Sequence, residues 1–515
     1  MKKLIFYGAL LFLLIAFAAC GNNGPIEEDP EPTPTLVVVD SVNGGTPSPV
    51  PAPMDMPRFD HHEASLTIDP ISRTVSGISR ITFTNRFEEP LDTIVFRLFL
   101  NALGEGEQGY FRDLERRIFR PRRDYGYMDI HHVTLNNEDM DYRLAGTVLS
   151  LLPAEPLAPG DTVQLVLKFD AYVPMIAHRT GANNRAMWFG MFLPLVAAHG
   201  TDGWLTPDYY SVGNPFVLPM ATFEVEVITP ANYIVAGAGA KTGGIVLEDD
   251  DTRVTAFTAN NARDFAFAIS PYFRHEWVST VGGDVHLYFY TEDLPVDRIL
   301  EIVNISMEFF SDRIGQYPFD NIRIVETDMF LSGVGFSNVI FMDTNALRRP
   351  DAMALAREMG HQWFSNVVGS NPVEDPWLDR GLVRYIRAGL FNDTARELRN
   401  YMAEAYTQIA GRDDLYLAHG LDAFDTWRDY FQTHHLKGML MFNALNLHMG
   451  DELFWELIRQ YFQTFYFQIA SGQDFMSLAE EIYGGSLESF FDEWFADGTM
   501  PPLTLDEPEG EALTP

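Results

Sequence analysis

The hydrophobic residues of this 515-residue chain change their spacing near residue 282. Before that point they alternate with polar residues, as in Val163, Leu165, Leu167 and Phe169. Because neighbouring side chains of a β-strand point to opposite faces, this alternation predicts half-buried strands. After that point apolar residues recur every three or four positions, which predicts helices. The chain is therefore expected to fold as an all-β domain followed by a mostly helical one.

The order of these patterns predicts two folded domains. Turn-prone segments such as Pro159-Gly160-Asp161 separate the strands, and no strand-helix-strand alternation is present, so residues 58–281 are expected to form an antiparallel β domain. Residues 282–500 are expected to form the second domain, whose first helix begins near Ile299 and ends before Gly315. Further helical patterns cover residues 351–364, 373–391, 394–410, 428–449, 452–468, 474–483 and 487–496.

The first twenty residues have the composition of an export signal. Lys2 and Lys3 precede an apolar run from Leu4 to Phe17 that is shorter than the ~20 residues needed to span a membrane as a helix. Residues 1–20 resemble the signal peptide of a bacterial lipoprotein, which implies that Cys20 is the acylated residue. A cleaved signal without lipid and an uncleaved anchor are the alternatives.

Two segments outside the domains contain little that could be buried. Residues 21–57 are rich in proline and acidic residues and predict an extended tether, and the acidic residues 501–515 predict a disordered tail. The chain has 72 acidic and 36 basic residues, giving a formal net charge of −36. This charge argues against nucleic acid as a partner. Cys20 is the single cysteine, which excludes disulfides within the chain.

The segment with the clearest chemical pattern lies in the second domain. Residues 356–364 read Ala-Arg-Glu-Met-Gly-His-Gln-Trp-Phe, and residues 377–381 read Trp-Leu-Asp-Arg-Gly. On a helix, positions 357, 358 and 361 fall within one turn and can share a face. In the motif H-E-x-x-H the same spacing lets two histidines hold zinc while the glutamate acts as general base. Here Arg357 occupies the first histidine position, and Glu358 and His361 match the rest.

These segments resemble the membrane alanyl aminopeptidase family of zinc metallopeptidases (gluzincins), with the signature H-E-x-x-H-Q-W-F-G and a glutamate ligand inside a later W-L-N-E-G. The flanking residues fix the register without gaps, and the third ligand position falls on Arg380. The resemblance covers about residues 60–500. It implies a saddle-like β domain, then an α+β thermolysin-like peptidase domain that is mostly helical.

The resemblance also shows which functional groups are replaced. Two of the three implied zinc ligands are arginines, which have no lone pair for a metal and keep their charge. Gly335, in the segment that begins at Gly333, stands where the family has the glutamate that holds the substrate's amino terminus. His435 stands where the family has the tyrosine that stabilises the oxyanion. We therefore expect a degenerate zinc site in which His361 is the one remaining ligand, and no resident cofactor.

Glu358 permits two interpretations. It could remain a general base, or it could be the counter-charge of Arg357 or Arg380, because an unpaired buried charge is costly. One carboxylate between two arginines leaves excess positive charge, so a second acid is expected nearby. The candidates are Asp379, Asp375, Glu326 and Asp328. Without such an acid the cleft would be an anion site.

Two functions follow from these residues. The first is a surface-anchored pseudoenzyme whose cleft binds a peptide, a carboxylate or a protein partner through Arg357, Arg380, Gly333 and Gly335. A lipid on Cys20 would place it on the outer face of a bacterial membrane. The alternative is a zinc-dependent aminopeptidase that removes amino-terminal residues from peptides. The family resemblance favours the enzyme, and the residues at the zinc positions favour the pseudoenzyme.

Overall fold

The computed structural model describes residues 59–501, apart from 107–114, 120–122, 202, 211, 248–250, 351, 393 and 497–499. The predicted signal peptide with Cys20, the tether of residues 21–57 and the predicted tail after residue 501 lie outside the described residues. Within the described part of the chain, no helix combines the length and the apolar composition needed to cross a bilayer.

Strands are the main regular elements in the first half of the described chain. They are β1 (Asp60–Asp69), β2 (Thr74–Thr84), β3 (Ile94–Arg97), β4 (Tyr127–Leu135), β5 (Glu138–Asp139), β6 (Asp141–Ala145), β7 (Val148–Leu152), β8 (Thr162–Tyr172), β9 (Thr180–Ala182), β10 (Met187–Phe189), β11 (Leu195–Val196), β12 (His199–Gly200), β13 (Gly203–Trp204), β14 (Ala221–Pro230), β15 (Ile234–Gly237), β16 (Ala240–Leu247), β17 (Thr252–Ala262) and β18 (Phe267–Ser270). A short helix, α1 (Glu115–Ile118), interrupts them.

The largest sheet has eight strands in the order β16-β17-β14-β1-β2-β8-β4-β5. Its strands alternate buried and more exposed residues; in β8 the alternating apolar residues Val163, Leu165, Leu167 and Phe169 are all buried. Two four-stranded sheets, β15-β18-β10-β9 and β11-β3-β7-β6, contribute to the same apolar core. The amino-terminal β-sheet domain expected from the alternating pattern is therefore present.

The expectation of a wholly antiparallel β domain is wrong at one pair of strands. β1 and β14 run parallel, with Asp60 opposite Ala221 and Thr67 opposite Ile228. A hairpin forces its two strands to be antiparallel, but strands joined by a long connection are free of that constraint. More than a hundred residues separate β1 from β14. The alternation that predicts each strand carries no information about its direction.

A second sheet of five strands lies in the second half of the chain, in the order β19-β20-β21-β23-β22. Its strands are β19 (Arg274–Thr280), β20 (Gly283–Phe289), β21 (Asn321–Thr327), β22 (Gly333–Phe336) and β23 (Val339–Asp343). β19 and β20 form a hairpin. The domain boundary predicted between residues 281 and 282 falls in the turn of this hairpin, so β19 is grouped with the second sheet. Apolar and polar residues alternate in both β19 and β20. The sequence pattern therefore does not show that the chain has passed from one sheet to another.

Helices make up most of the second half. They are α2 (Val296–Arg313), α3 (Thr344–Arg348), α4 (Ala352–Trp363), α5 (Pro376–Phe391), α6 (Ala395–Ile409), α7 (Trp427–Tyr430), α8 (Gly438–Met449), α9 (Asp451–Thr464), α10 (Gly472–Tyr483) and α11 (Glu488–Phe495). Two very short strands, β24 (Gly369–Ser370) and β25 (Ile469–Ala470), pair in parallel. One turn of π-helix, Phe431–Lys437, joins α7 to α8.

Local sequence explains where several helices begin. Thr394 and Glu397 form a capping box at the start of α6, and Ser471 and Asp474 form another at the start of α10. In each box the two side chains satisfy backbone N–H groups that have no partner inside the helix. Pro376 begins α5, where its missing N–H costs nothing. The helical half packs around a second apolar core.

Candidate functional site

The candidate site begins on α4. Leu355, Met359 and Trp363, spaced four residues apart, are fully buried in the second core. This spacing fixes the rotation of the helix, because side chains four residues apart lie on the same face. Glu358 and His361 are each 3% exposed and line a cavity beside the helix.

A glycine allows α5 to lie close to α4. A Cβ atom at Gly360 would lie 2.8 Å from Val383 of α5 and 2.8 Å from Phe310 of α2, so a side chain at this position would push the helices apart. The close approach brings Arg380, in the second turn of α5, next to His361. The two implied ligand positions on different helices therefore meet in space.

Arg380 donates a hydrogen bond to the ring of His361. Arg380 Nη1 lies 3.1 Å from His361 Nε2. A guanidinium can only donate, so Nε2 must accept and the ring proton must be on Nδ1. Nδ1 lies 3.2 Å from the carbonyl oxygen of Phe364 and 3.2 Å from Ser365 Oγ, both of which can accept its proton. The lone pair on Nε2 is used by an arginine.

The imidazole of His361 is neutral in this environment. Burial lowers its pKa well below the usual range, and the positive charges of Arg380 and Arg357 lower it further. Ser365 Oγ, beside the ring, donates to Asp379 Oδ2 at 2.5 Å. Ser365 has a φ of 104°, a backbone conformation that is uncommon for a residue with a side chain and that clusters at functional sites.

Glu358 is paired with its neighbour in sequence. Arg357 Nε donates to Glu358 Oε1 at 2.7 Å, and Arg357 Nη2 contacts the same oxygen. Arg357 also lies against β22, since its Nη2 is 3.5 Å from the carbonyl oxygen of Gly333. A Cβ atom at Gly335 would lie 3.5 Å from Glu358 Oε2. The carboxylate at the general-base position therefore neutralises an arginine.

The seven predicted site residues inside the described range meet at one cavity of about 160 Å³. They are Gly333, Gly335, Arg357, Glu358, His361, Arg380 and His435. Cys20, the predicted lipidation site, lies outside the described residues. α4, α5, β22 and the π-helical turn supply these residues, so the cavity lies where four separate segments converge.

The π-helical turn sets the position of His435. A π-helix contains one more residue per hydrogen-bonded ring than an α-helix, and such turns occur frequently at functional sites. Burial lowers the pKa of His435 well below its usual range, with further lowering by Arg384, Arg380 and Arg357, so this ring is neutral. Tyr430, at the end of α7, lines the same cavity, and burial raises its pKa to about 12. Its hydroxyl therefore remains protonated and can donate a hydrogen bond.

Sequence reasoning missed Arg179 and Tyr430. Arg179 immediately precedes β9, is 4% exposed, and donates from Nη2 to the carbonyl oxygen of Gly213 at 2.7 Å. In the described part of the chain it makes no ion pair with a carboxylate. No periodic or motif signal surrounds it, and a lone arginine between two β segments reads as a surface residue. The apolar residues that precede Arg179 in the sequence, Val-Pro-Met-Ile-Ala at 173–177, could have indicated that it is buried.

The second acid expected beside the arginines is Asp379. Its Oδ1 lies 3.3 Å from Arg380 Nε, and its side chain is 4% exposed. Two other candidates serve elsewhere: Glu326 accepts the backbone N–H groups of Tyr290 and Thr291, and Asp375 accepts that of Gly472. Asp328 is not among the described residues that line the cavity.

The charges around the cavity do not cancel. Three guanidinium groups, those of Arg179, Arg357 and Arg380, face it, against the carboxylates of Glu358 and Asp379. The two histidines, His361 and His435, are neutral. One positive charge remains in a largely buried place, where its attraction for an anion is stronger than in water.

A family model and two curated relatives all connect this chain with aminopeptidases. A model of the peptidase family M1 domain matches residues 299–494. Human aminopeptidase O is 21% identical over 259 residues, which cover 42% of this chain and 31% of that protein. Human aminopeptidase Q is 22% identical over 464 residues, covering 80% of this chain and 45% of that protein. The chain thus spans less than half the length of these curated relatives.

Solved structures show the same fold over most of the chain. An M1 zinc metallopeptidase from Deinococcus radiodurans superposes with a TM-score of 0.65 at 19% identity, covering 87% of this chain and 95% of the other. A variant of an M1 zinc metallopeptidase from the same organism, crystallised with a Tyr-Ser-Ala substrate, gives a TM-score of 0.63. The matched domain and the aminopeptidase relatives support membership of peptidase family M1, the membrane alanyl aminopeptidase family, and the solved structures show that the chain shares the two-domain fold of M1 metallopeptidases.

Proposed function

We propose that this M1-family protein binds a carboxylate-bearing peptide or protein ligand in the cavity between α4, α5 and β22, and does not hydrolyse peptides with zinc. The observation that carries this proposal is the hydrogen bond from Arg380 Nη1 to His361 Nε2. A zinc ligand must offer the metal an unshared lone pair, and this one already accepts an N–H group.

The other donor positions do not fit zinc either. A catalytic zinc site needs three protein ligands and one open position. Arg357 and Arg380 stand at two of the implied positions and can only donate, and Glu358 is paired with Arg357. Among the described residues, no group of three or more histidine, cysteine, aspartate or glutamate side chains is arranged to hold a metal ion. The residues present therefore do not fit the metal, and no reaction step is assigned to it.

The arginines support the binding half of the proposal. Arg179 is buried, burial lowers the pKa of its guanidinium, and within the described part of the chain no carboxylate pairs with it. An incoming carboxylate would supply the missing counter-charge with a charge-assisted hydrogen bond. Arg357 and Arg380 already have acidic neighbours and would act as secondary contacts. The neutral side chains of His435 and Tyr430 complete the wall without adding charge.

The proposal also includes three features expected from the sequence: the shape of each domain, export from the cell, and a lipid anchor. We infer a saddle-like shape for the β domain and a thermolysin-like arrangement for the helical one, as the family resemblance implies. We also infer export and a lipid anchor at Cys20, which would hold the cavity outside a bacterial membrane. The alternative is a zinc aminopeptidase, which the names of the relatives and the retained Glu358 and His361 favour.

Metal content and hydrolysis separate the two functions. The purified protein is incubated with zinc, and unbound zinc is then removed. We expect the protein to hold far less than one zinc ion per chain. We also expect it to leave aminoacyl coumarin amides uncleaved. The positive control is the double variant Arg357→His with Arg380→Glu, which should take up zinc because three ligands are restored. Stoichiometric zinc in the unaltered protein together with chelator-sensitive hydrolysis would show that it is an enzyme.

The same preparation tests the binding half by calorimetry. N-acetyl-Gly-Gly with a free carboxylate is expected to bind at least about tenfold more tightly than its carboxamide, because a hydrogen bond to a charged group is worth roughly 1.5–3 kcal/mol. Arg179→Met should remove most of that difference, whereas Arg179→Lys should keep part of it. Equal affinity for the acid and the amide would contradict a carboxylate site.

A further inference from the structure

The eight-stranded sheet ends in two edges of different character. At one edge, β5 (Glu138–Asp139) is two residues long, and both residues are acidic and exposed. A short, charged edge strand resists pairing with further strands. At the other edge, β16 (Ala240–Leu247) is eight residues long and has a single charged residue, Lys241. Within the described part of the chain, no strand pairs with the outer side of β16. One edge of the sheet is therefore protected and the other is open.

The open edge also exposes apolar side chains. Ile245, Val246 and Leu247 are 49%, 38% and 40% exposed. Because consecutive side chains of a strand point to opposite faces of the sheet, these three residues expose apolar surface on both faces of β16. Native proteins rarely leave such an edge uncovered, because it can pair with other chains and aggregate. The outer side of β16 thus has both the backbone groups and the side chains to accept another strand.

A segment of the same chain matches this edge in length and composition. Residues 35–42, which precede the described residues, read Thr-Leu-Val-Val-Val-Asp-Ser-Val, and we call them the valine segment. They contain the longest apolar run of the tether predicted over residues 21–57. Valine is among the residues most enriched in strands, and Pro34 on one side and Gly44 on the other are typical of strand boundaries. The valine segment therefore has the sequence of a strand.

The order of residues favours antiparallel pairing with β16. The apolar residues come early in the valine segment, at 36–39, and late in β16, at 245–247. Each stretch has one charged residue, Asp40 in the valine segment and Lys241 in β16. When the two stretches run in opposite directions, apolar residues face apolar residues and Asp40 approaches Lys241, and both kinds of cross-strand pair stabilise a sheet. In the parallel direction the valines would instead face Lys241 and the glycines of β16.

The connection to β1 is long enough for this arrangement. β14 and β17 separate β1 from β16, so a strand outside β16 would lie four strand spacings from β1, about 19 Å at ~4.8 Å each. β16 runs in the same direction as β1, since β14 is parallel to β1 and antiparallel to β17, which is antiparallel to β16. A strand antiparallel to β16 therefore ends where β1 begins. Residues 43–59 join the two points and can extend to roughly 56 Å.

A second copy of the chain fits the open edge less well. Two copies of β16 paired across a twofold axis would contribute one short strand each, whereas stable protein–protein interfaces involve about 20–30 residues a side. Each copy also has a formal net charge of −36, which opposes association. A segment of the same chain needs no association step, because a flexible connection gives it an effective concentration on the order of millimolar. Chain length and charge thus favour the valine segment as the occupant.

We propose that the valine segment forms a ninth strand of this sheet, antiparallel to β16, and covers its apolar edge. This inference concerns the β half and does not depend on the function proposed for the cavity. It closes the open edge to strands of other chains. It also shortens the tether predicted from the sequence to residues 21–34.

Hydrogen–deuterium exchange of the full chain, followed by mass spectrometry, tests this pairing. A backbone N–H group that is hydrogen-bonded to a neighbouring strand exchanges only when the strands separate. Peptides covering residues 35–42 and β16 are therefore expected to exchange at least about tenfold more slowly than in the double variant Val37→Lys with Val38→Lys. Val246→Lys, on the other side of the pair, should speed the exchange of residues 35–42. Val50→Lys is the matched control, because Val50 belongs to the same predicted tether but lies outside the valine segment.

Sedimentation velocity at two protein concentrations identifies the occupant of the edge. A monomer in which both peptides are protected at either concentration, and lose protection in the double variant, would support the proposal. A dimer whose β16 protection falls on dilution and survives Val37→Lys with Val38→Lys would assign the edge to a second copy and overturn it. Fast exchange of residues 35–42 in the unaltered protein would overturn it as well. Circular dichroism of each variant shows whether the remaining fold is intact.

Discussion

The lone pair on His361 Nε2 determines what the cavity can bind. In a metal site it would face a dication, and here it faces an N–H group of Arg380. Because Arg380 is held in turn by Asp379, moving it away would leave both a buried acid and a buried base unpaired. The guanidinium thus takes the lone pair that a bound metal would need, as the proposed loss of the zinc site requires.

Asp264 should reduce the stability of the folded protein at neutral pH. Its Oδ2 atom has no hydrogen-bond partner within the described structure. Burial on folding raises the pKa of Asp264 from 3.8 to about 6, so as pH rises the unfolded chain loses this proton first. The stability associated with the protonated acid is present below about pH 4 and is lost as pH rises through about 6. Asp264→Asn is therefore expected to stabilise the protein at about pH 7.5 by up to ~3 kcal/mol, and hardly at all at about pH 4.

Urea unfolding at the two pH values measures this difference. Asp139→Asn is the matched control, because the Asp139 side chain is 88% exposed and should show no such effect. If Asp264→Asn destabilised the protein at neutral pH, the carboxylate would have a bonding partner after all.

How far sequence could locate the site depended on whether a residue belonged to a motif. Arg357, Glu358 and His361 could be placed because helix geometry fixes their relative positions, and Arg380 because flanking tryptophans fix the register. Arg179 could not be placed in the site, since it comes from a connection between strands. Such connections have no period, and their contacts depend on the packing of distant segments.

Helices could be predicted well where an apolar stripe repeats, and less well where the hydrogen bonding changes. The pattern over residues 373–391 corresponds to α5, and that over 452–468 to α9. The pattern over 428–449 predicted one helix, whereas the structure has α7, a π-helical turn at Phe431–Lys437, and α8. A single π-turn alters the backbone ring size without altering the apolar composition, so side-chain spacing alone does not reveal it.

The crossing of α5 and α8 depends on two glycines. A Cβ atom at Gly381 would lie 2.7 Å from the carbonyl carbon of Gly438, closer than real Cβ contacts come. Gly381→Ala is therefore expected to force α8 away and destabilise the protein by about 1–3 kcal/mol or more, the usual cost of overpacking. It should also weaken ligand binding, because Arg380 is the preceding residue. Thermal unfolding and calorimetry give the two measurements.

Gly389 provides a control on the same helix. A Cβ atom there would meet only Phe309, at an ordinary 3.8 Å. Because alanine is a better helix former than glycine by up to about 1 kcal/mol, Gly389→Ala should be neutral or stabilising. If both variants lost equal stability, the crossing of α5 with α8 would not be the cause of the loss, and the argument from close packing would fail.

The two halves of the molecule have separate apolar cores, and Arg263 links them through hydrogen bonds. It lies in the β half, after β17, and its guanidinium reaches the carbonyl oxygen of Leu218 on the same side. It also reaches those of Asn366 and Val367, after α4, and of Gln468, before β25. Gly369 makes room for it, since a Cβ atom there would lie 2.4 Å from the guanidinium carbon.

Removing this guanidinium should loosen the joint between the halves. Arg263→Met would leave four carbonyl oxygens without their donor, and we expect a loss of about 2–5 kcal/mol, as for other broken buried networks. Arg263→Lys should lose less, because an ammonium can still serve some of the oxygens. The matched control is Arg253→Met, since Arg253 Nε donates to the carbonyl oxygen of Ala231 at 3.0 Å, within the β half. Urea unfolding followed by tryptophan fluorescence and circular dichroism should show a lower midpoint for Arg263→Met and two separated transitions. A single transition at the midpoint of the control would mean that apolar packing alone joins the halves.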